Sequence, residues 1–435
     1  MVRVKTILLL AGRSRRFWPL SEKSLFPILG KTLLEHQVRN LRDGGCKDII
    51  LVGGAHNLKD AAALFPDFST VEQIDLDRGM QGAMEAALPM CGSEPVLIVS
   101  SNDVIDPRAY KDLWDTAAKK GVDGVLLAYR VQRYFPGGYL TVDGERVTGI
   151  VEKPGAGNEP SDLVNIVAHV HNDPIALLEA LRAQDTSNDD GYERAIAALL
   201  PKKRYEAMPY EGPWQAVKYP WHLLPLAQHF LGTIEKQQIH KKAFVHPSAT
   251  VEGNVIIEEG AKILAHASVS GPCYIGRNTV VGNGALVRGS SVGADCVVGF
   301  GSEVKGSVLA SHVWTHMTYL GDSIIGRNVS FGGGTITGNF RLDEAEVTSK
   351  SGDADIPTGL QKLGLIVGDD CRFGIRVGSN PGLKVGPKTF VTGGVYLTED
   401  VSEKSFVTMK EGKQFVRENR MDVPSIDART QYRPG

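Results

Sequence analysis

The sequence predicts an α/β chain: a Rossmann-like, doubly wound domain followed by a left-handed parallel β-helix of hexapeptide repeats. Three observations carry this. The first half alternates β-branched strand-like runs with amphipathic helical segments. After roughly residue 239, small aliphatic residues recur every six positions. The chain has 435 residues, more than one core usually supports.

In the first half, the apolar run 7–10 reads as a buried strand, ended by Gly12 and a cationic loop carrying Arg13, Arg15, Arg16 and Lys23. Residues 32–41 place Leu33, Leu34, Val38 and Leu41 on one helical face. Strands are predicted at 48–54, 95–100 and 124–129, with a helix at 109–120. This alternation predicts a mostly parallel sheet, whose ligand lies beyond the carboxyl ends of the strands. A strand, a glycine turn, a cationic loop and a helix together suit phosphate, because backbone N–H groups and guanidinium groups converge on it.

In the second half, Val245, Val251, Ile257, Ile263, Val269, Ile275, Val281 and Val287 keep a step of six. Val292, Val298 and Val304 resume it after a deletion, then Tyr319, Ile325, Phe331 and Thr337, then Val367, Phe373, Ser379, Val385, Val391 and Leu397. A triangular coil explains that period, each hexapeptide forming one side and its apolar residue filling the axis. The expected domains are 1–232, including a bridging helix at about 219–232, then the coil at 239–410 and an extended or flexible polar tail at 411–435. Residues 341–363 interrupt the coil with a charged, Ser/Gly/Asp-rich insertion that reads as either a plain loop or a functional excursion.

Composition narrows the class. The 48 basic and 50 acidic residues nearly cancel, which excludes nucleic-acid binding by bulk charge. No apolar run approaches the length of a membrane span, and no signal-peptide pattern opens the chain. The five cysteines are scattered without a CxxC pair, as expected of reduced thiols in the cytoplasm.

Gly12, Arg16, Lys23 and Gly30-Lys31, in this order, resemble the signature of sugar-1-phosphate nucleotidylyltransferases. Their spacing best resembles the bifunctional nucleotidylyltransferase/acetyltransferase family of the N-acetylglucosamine-1-phosphate uridylyltransferase type. Several segments share the resemblance: 79–83, 100–103, 137–139, 152–154 with Asn165, 316–322 and 332–340. Residues 358–364 resemble the archaeal-type variant, in which an inserted hairpin precedes the returning hexads.

The resemblance implies that Ala11, Gly12, Arg13, Gln81 and Gly82 bind the nucleotide. Arg16 and Lys23 contact the triphosphate and the incoming sugar phosphate, and Asp103 holds Mg²⁺. Gly138, Glu152, Lys153 and Asn165 bind the sugar. In the coil, His316 acts as general base toward acetyl-CoA, while Arg288, Lys305, Tyr319 and Asn339 hold the amino-sugar phosphate. The implied function joins N-acetylation of an amino-sugar-1-phosphate to its transfer onto a nucleoside monophosphate, with UTP favoured over dTTP. A homotrimer is implied, with acyl sites between neighbouring coils.

The pattern departs at four positions. Ser14 stands for a loop glycine, Asn102 for the glycine before the metal aspartate, Ser330 for a sugar-contacting asparagine, and Ala216 for a second metal ligand. Asp103 then works with water and phosphate alone, or Lys218 substitutes charge for metal, or this half is impaired. No lysine follows Asn339 at the usual short spacing, which leaves Lys350 or Lys362 as replacements. Alternatives to the dual enzyme are a monofunctional nucleotidylyltransferase, a non-enzymatic regulatory homologue with the coil as an oligomerisation module, or an acetyltransferase alone.

Overall fold

The structure, a computed structural model, describes residues 5–10, 12–185 and 190–432. The chain forms two compact units. One takes Leu33–Ala216 with the chain up to Arg13; the other takes Ser14–Thr32 with the chain from Val217 onward.

The first unit is built on a nine-stranded sheet. Its strands are β1 (Lys5–Leu9), β2 (Asp48–Gly53), β3 (Ser69–Glu72), β4 (Val96–Ser100), β5 (Gly124–Arg130), β6 (Gly138–Asp143), β7 (Arg146–Glu152), β8 (Leu163–His171) and β9 (Tyr205–Pro209). They lie in the order β3-β2-β1-β4-β8-β5-β9-β7-β6. β1 to β4 are mutually parallel, and β9 runs parallel to β5. β8 is antiparallel to both β4 and β5, and β7 is antiparallel to β6 and β9. The expected mostly parallel sheet is therefore mixed. β6 and β7 follow one another through a short turn at Gly144, which permits only an antiparallel pair.

Ile7, Leu8, Ile98, Leu126 and Leu127 are fully buried, which is why their strands read as unbroken apolar runs. Helix α1 (Leu33–Asp43) begins one residue later than predicted, because Thr32 pairs with Pro27 in a short strand pair. α2 (Pro107–Ala117) starts cleanly because the Asp106 carboxylate accepts from Arg108 N at 2.8 Å and Pro107 supplies a preset first turn. The neighbouring β8 and the helix Gly191–Leu199 bury a polar chain. Tyr192 Oη lies 2.9 Å from both His169 Nδ1 and His171 Nε2, and His171 Nδ1 lies 2.9 Å from Tyr205 Oη.

The second unit is a coil of three parallel ladders. One ladder stacks Ile257, Ile275, Val292, Leu309, Ile325, Val367 and Val385 into the axis. Tyr319 is a correction to the predicted register: Val304 pairs with Leu320, which fills the core, while Tyr319 faces outward. The step from Leu320 to Ile325 is five residues, one short of a hexad, so the register read back from Ile325 slips by one.

The insertion holds an antiparallel hairpin, Thr348–Ser351 with Ala354–Pro357. The bridging segment is a short turn (Pro220–His222) running into helix α3 (Leu223–Gly232).

The tail, expected to be extended or flexible, carries an extended strand and a short helix over its described part. Ser405–Lys410 and Lys413–Glu418 form a hairpin, and a short helix spans Ile426–Thr430. Arg429 holds that helix down, with its guanidinium 4.4 Å from the Trp314 ring centroid and donating to Asn328 Oδ1.

Candidate active sites

In the sheet unit, the chain leaving β1 is tied to the loop after β2. Asn57, 1% exposed, donates to Leu10 O at 2.8 Å and accepts from Gly54 N at 3.1 Å. His56 Nε2 lies 3.3 Å from Gly12 O, and Arg13 pairs with Asp77 at 2.9 Å. Gly12 and Arg13 are exposed at this strand end. Ala11 lies outside the described residues. Asn57 and Asp77 carry no motif of their own, so only the fold reveals them.

The segment 79–83 opens the helix Gly79–Ala87, yet Gln81 is not turned toward an open surface. Gln81 is 5% exposed, and its amide donates to Glu85 Oε1 and to the carbonyls of Leu181 and Gln184. The structure thus gives Gln81 a helix-packing role, with its donors committed. Gly82 sits tight against Gln73, whose amide holds the carbonyls of Asp75 and Gly79 at 2.8 Å.

Asp103 lies beyond the end of β4, in a short antiparallel pair with Gln215–Ala216. Its Oδ1 accepts from Trp214 Nε1 at 2.9 Å, and Gln37 donates to its backbone carbonyl at 2.7 Å. Tyr129 and Phe135 pack against the indole at centroid distances of 5.1 and 4.8 Å. The carboxylate is therefore aimed by a side chain that is itself held. Asn102 buries its Oδ1 without a hydrogen-bond partner.

Gly138, Glu152, Lys153 and Asn165 are brought together. A Cβ at Gly138 would collide with Asn165 Oδ1 and come within 3.2 Å of Glu152 Oε2. Lys153 pairs with Glu152 at 2.7 Å. The Asn165 Nδ2 is buried without a partner, a donor left over for a ligand acceptor.

Arg16 and Lys23 belong to the other unit, on the loop 14–32. Ser14 takes the left-handed conformation (φ 48°) that a glycine would adopt freely, and its hydroxyl reaches Glu22 at 3.2 Å. Arg16 is exposed, with its guanidinium 6.0 Å from the Tyr219 ring centroid. Tyr219 in turn stacks on Trp221 at 4.4 Å.

Three of the four expected acceptor-binding residues, Arg288, Lys305 and Tyr319, lie on one ladder, and Asn339 follows two residues after that ladder's next strand, Ile336–Thr337. Arg288 pairs in register with Lys305, and Lys305 with Gly321. Lys305 Nζ contacts both carboxylate oxygens of Asp322 at 2.9 and 2.7 Å. Asn339 Nδ2 donates to Asp322 Oδ2 at 2.6 Å and to Tyr319 Oη at 3.3 Å. Arg288 is paired with Glu303 at 2.7 Å. Gly321 leaves the room that Tyr319 and Asn339 occupy, since a Cβ there would lie 2.5 Å from Tyr319 Oη and 2.7 Å from Asn339 Nδ2.

Asp322 and Glu303 are the functional additions here. Asp322 closes the 316–322 segment, but only the fold shows that it meets Lys305. His316 projects at the coil corner just before Tyr319, exposed. Gly333 lies against the His316 ring, where a Cβ would only touch Cδ2 at 3.4 Å. Lys362 folds back over the Phe340 ring at 5.6 Å, and the Lys350 backbone carbonyl accepts from Lys384. Ser330 lies on a different ladder from the acceptor cluster.

A sheet with phosphate-suited strand ends, joined to a hexapeptide coil with a polar acceptor cluster, defines a two-domain transferase. The chain belongs to the MobA-like NTP transferase domain family, whose profile matches residues 6–246. Residues 254–289 match the bacterial transferase hexapeptide (six repeats).

Among known proteins, the chain is 28% identical to a bifunctional sugar-1-phosphate nucleotidylyltransferase/acetyltransferase of Sulfurisphaera tokodaii, covering 93% of this chain and 99% of that one. It is also 28% identical to the bifunctional protein GlmU of Methanococcus maripaludis, over 93% and 97% of the two chains. A solved UDP-glucose pyrophosphorylase complexed with UDP-glucose aligns with 53% of this chain and 99% of its own, at 19% identity and a TM-score of 0.47.

Proposed function

We propose that this chain is a bifunctional enzyme: a sugar-1-phosphate nucleotidylyltransferase with acetyl-CoA-dependent amino-sugar-1-phosphate N-acetyltransferase activity. The observation that carries the reading is the cluster of Arg288, Lys305, Tyr319 and Asn339, with His316 three residues before Tyr319, in a chain whose other half belongs to the NTP transferase family.

At the coil, the acceptor's amine attacks the thioester carbonyl, His316 takes the proton, and the CoA thiolate leaves. Lys305 and Arg288 offer cationic donors to the sugar phosphate, which exchanges for Asp322 and Glu303 as partner. At the sheet, a sugar-phosphate oxygen attacks the α-phosphorus of UTP, the favoured nucleotide, and the α–β bridging bond breaks to release pyrophosphate. Arg13, Arg16 and Lys23 offset charge on the phosphates. Glu152 accepts from sugar hydroxyls, and Asn165 Nδ2 donates to the substrate.

Mg²⁺ fits this donor set when phosphates and water complete its shell, because it needs only one or two protein carboxylates. Asp103 would hold it, and the ion would supply charge neutralisation of the triphosphate. Ala216 opposite offers no ligand.

Exposed Phe300, Met317, Ile336 and Ile375 on the coil support assembly into a homotrimer. No described helix is long and apolar enough to cross a membrane. The five cysteines are all free, which favours the reducing cytoplasm.

The test is to supply glucosamine-1-phosphate, acetyl-CoA, UTP and Mg²⁺ and to follow CoA and pyrophosphate separately. Both should appear. Wild-type protein releasing neither would remove the reading.

A further inference from the structure

We propose that Lys384, on the coil, is a positioning residue for the nucleotidyl-transfer loop, holding the turn that carries Arg16 through its contact with Trp18. What the loop does rests on the reading above; how it is held is seen within one unit.

Lys384 opens a coil strand (Lys384–Val385) in which Val385 points into the axis. The lysine therefore points outward, where solvent would be expected, yet it is only 2% exposed. Four segments cover it. Its Nζ donates to the Lys350 carbonyl of the insertion hairpin, and it lies 5.2 Å from the Trp221 ring centroid and 6.0 Å from that of Trp18. Its backbone N–H donates to Asp400 Oδ1 at 2.8 Å. Burial pushes its ammonium down to about 8. A buried ammonium is retained only where its surroundings satisfy it, and here two indole faces and a carbonyl do so.

Trp18 follows directly on the tight turn Arg15–Phe17. Phe17 N bonds to Ser14 O at 2.8 Å and Leu20 N to Phe17 O at 3.0 Å, so Arg16 moves with Trp18. A cavity of about 790 Å³ opens beside them, lined by Arg15, Arg16, Trp18, Lys350 and Lys384. Further along, the loop is fastened to the coil again: Leu29 N donates to Ser291 Oγ at 2.9 Å, and Gly30 packs so tightly on Tyr274 that no Cβ fits. The insertion thus acquires a task. Its hairpin is seated on the coil through Ser349 Oγ and Gly382 O at 2.8 Å, and it presents the carbonyl that fixes Lys384.

The experiment compares wild type with Lys384→Met, Trp18→Leu and the double variant, in the full chain. Pyrophosphate-forming kcat should fall about tenfold or more in each single variant with little change in KM for UTP. CoA release, the internal control for folding, should stay within about twofold of wild type. The double variant should be no worse than the worse single, because both act through one contact. Hydrogen exchange at the Phe17 and Leu20 amides should rise in Lys384→Met while the coil amides keep their protection.

Additive losses, or unchanged exchange at Phe17 and Leu20, would overturn the proposal. The exchange result needs no substrate. If wild type makes no pyrophosphate, the nucleotidyl reading falls, while exchange still decides whether Lys384 holds the loop.

Discussion

Ala216 lies directly opposite Asp103 in a two-stranded antiparallel pair, so a methyl group occupies the place from which a second oxygen could reach a shared cation. Directly paired residues on a sheet face sit about 5 Å apart at their Cβ atoms, close enough for two carboxylates to grip one ion. Ala216→Asp should lower the Mg²⁺ concentration needed for half-maximal pyrophosphate release, by about tenfold for one added carboxylate ligand. A Mg²⁺ titration of both proteins checks it. An unchanged midpoint would mean that the ion is held elsewhere.

The acceptor cluster makes a charge-specific prediction. Among the described residues Asp322 is the one acid paired with Lys305, and a phosphate can exchange for it as the partner of that cation. Losing one charge-assisted contact costs about 1.5–3 kcal/mol. Lys305→Ala should therefore raise KM for glucosamine-1-phosphate about tenfold or more in CoA release. The same substitution should leave KM for unphosphorylated glucosamine nearly unchanged. Equal losses with both acceptors would show a general packing defect.

Gly138 is required by what lies against it. A side chain there would collide with Asn165 Oδ1 and crowd Glu152. Gly138→Ala should push the Asn165 amide off its position and cut pyrophosphate release severely, with CoA release unaffected. Steady-state kinetics of the two reactions on one preparation would show the asymmetry.

The buried His169–Tyr192–His171 chain predicts how the sheet unit responds to acid. Burial pushes His169 down to about 3 and His171 well down from its ordinary value. In the unfolded chain both titrate near 6.5, so the unfolded state binds protons that the native state refuses. Their contribution is fully present above about pH 6.5 and declines as pH falls toward 3, by up to roughly 1.4 kcal/mol per pH unit for each histidine. Urea unfolding of the wild type between pH 7 and 5 should show this slope. His169→Phe, whatever its absolute stability, should flatten it.

The coil was the most legible part of the chain, because each rung repeats one steric requirement: an aliphatic side chain of limited volume at the axis. Legibility failed where the step changed. Leu320 to Ile325 is five residues, so a step of six counted back from Ile325 falls on Tyr319, which faces outward, instead of on Leu320 in the core. The mixed character of the sheet was hidden because β6 to β9 have strand-like composition whatever their direction. Gln81 matched a motif, but its neighbours Leu181 and Gln184, about a hundred residues on, claim its amide. The tail's short helix is held by one long-range stack, Arg429 on Trp314, which local polarity does not reveal. The same holds for Lys384, whose covering comes from four separate segments.

If the proposed function holds, one chain carries two separable transferase sites. The most direct measurement uses His316→Ala, assayed first with glucosamine-1-phosphate, acetyl-CoA and UTP, then with N-acetylglucosamine-1-phosphate and UTP. The first mixture should yield no CoA, while the second should yield pyrophosphate at the wild-type rate. CoA release at the wild-type rate from the variant, or loss of pyrophosphate release with the acetylated sugar, would contradict it.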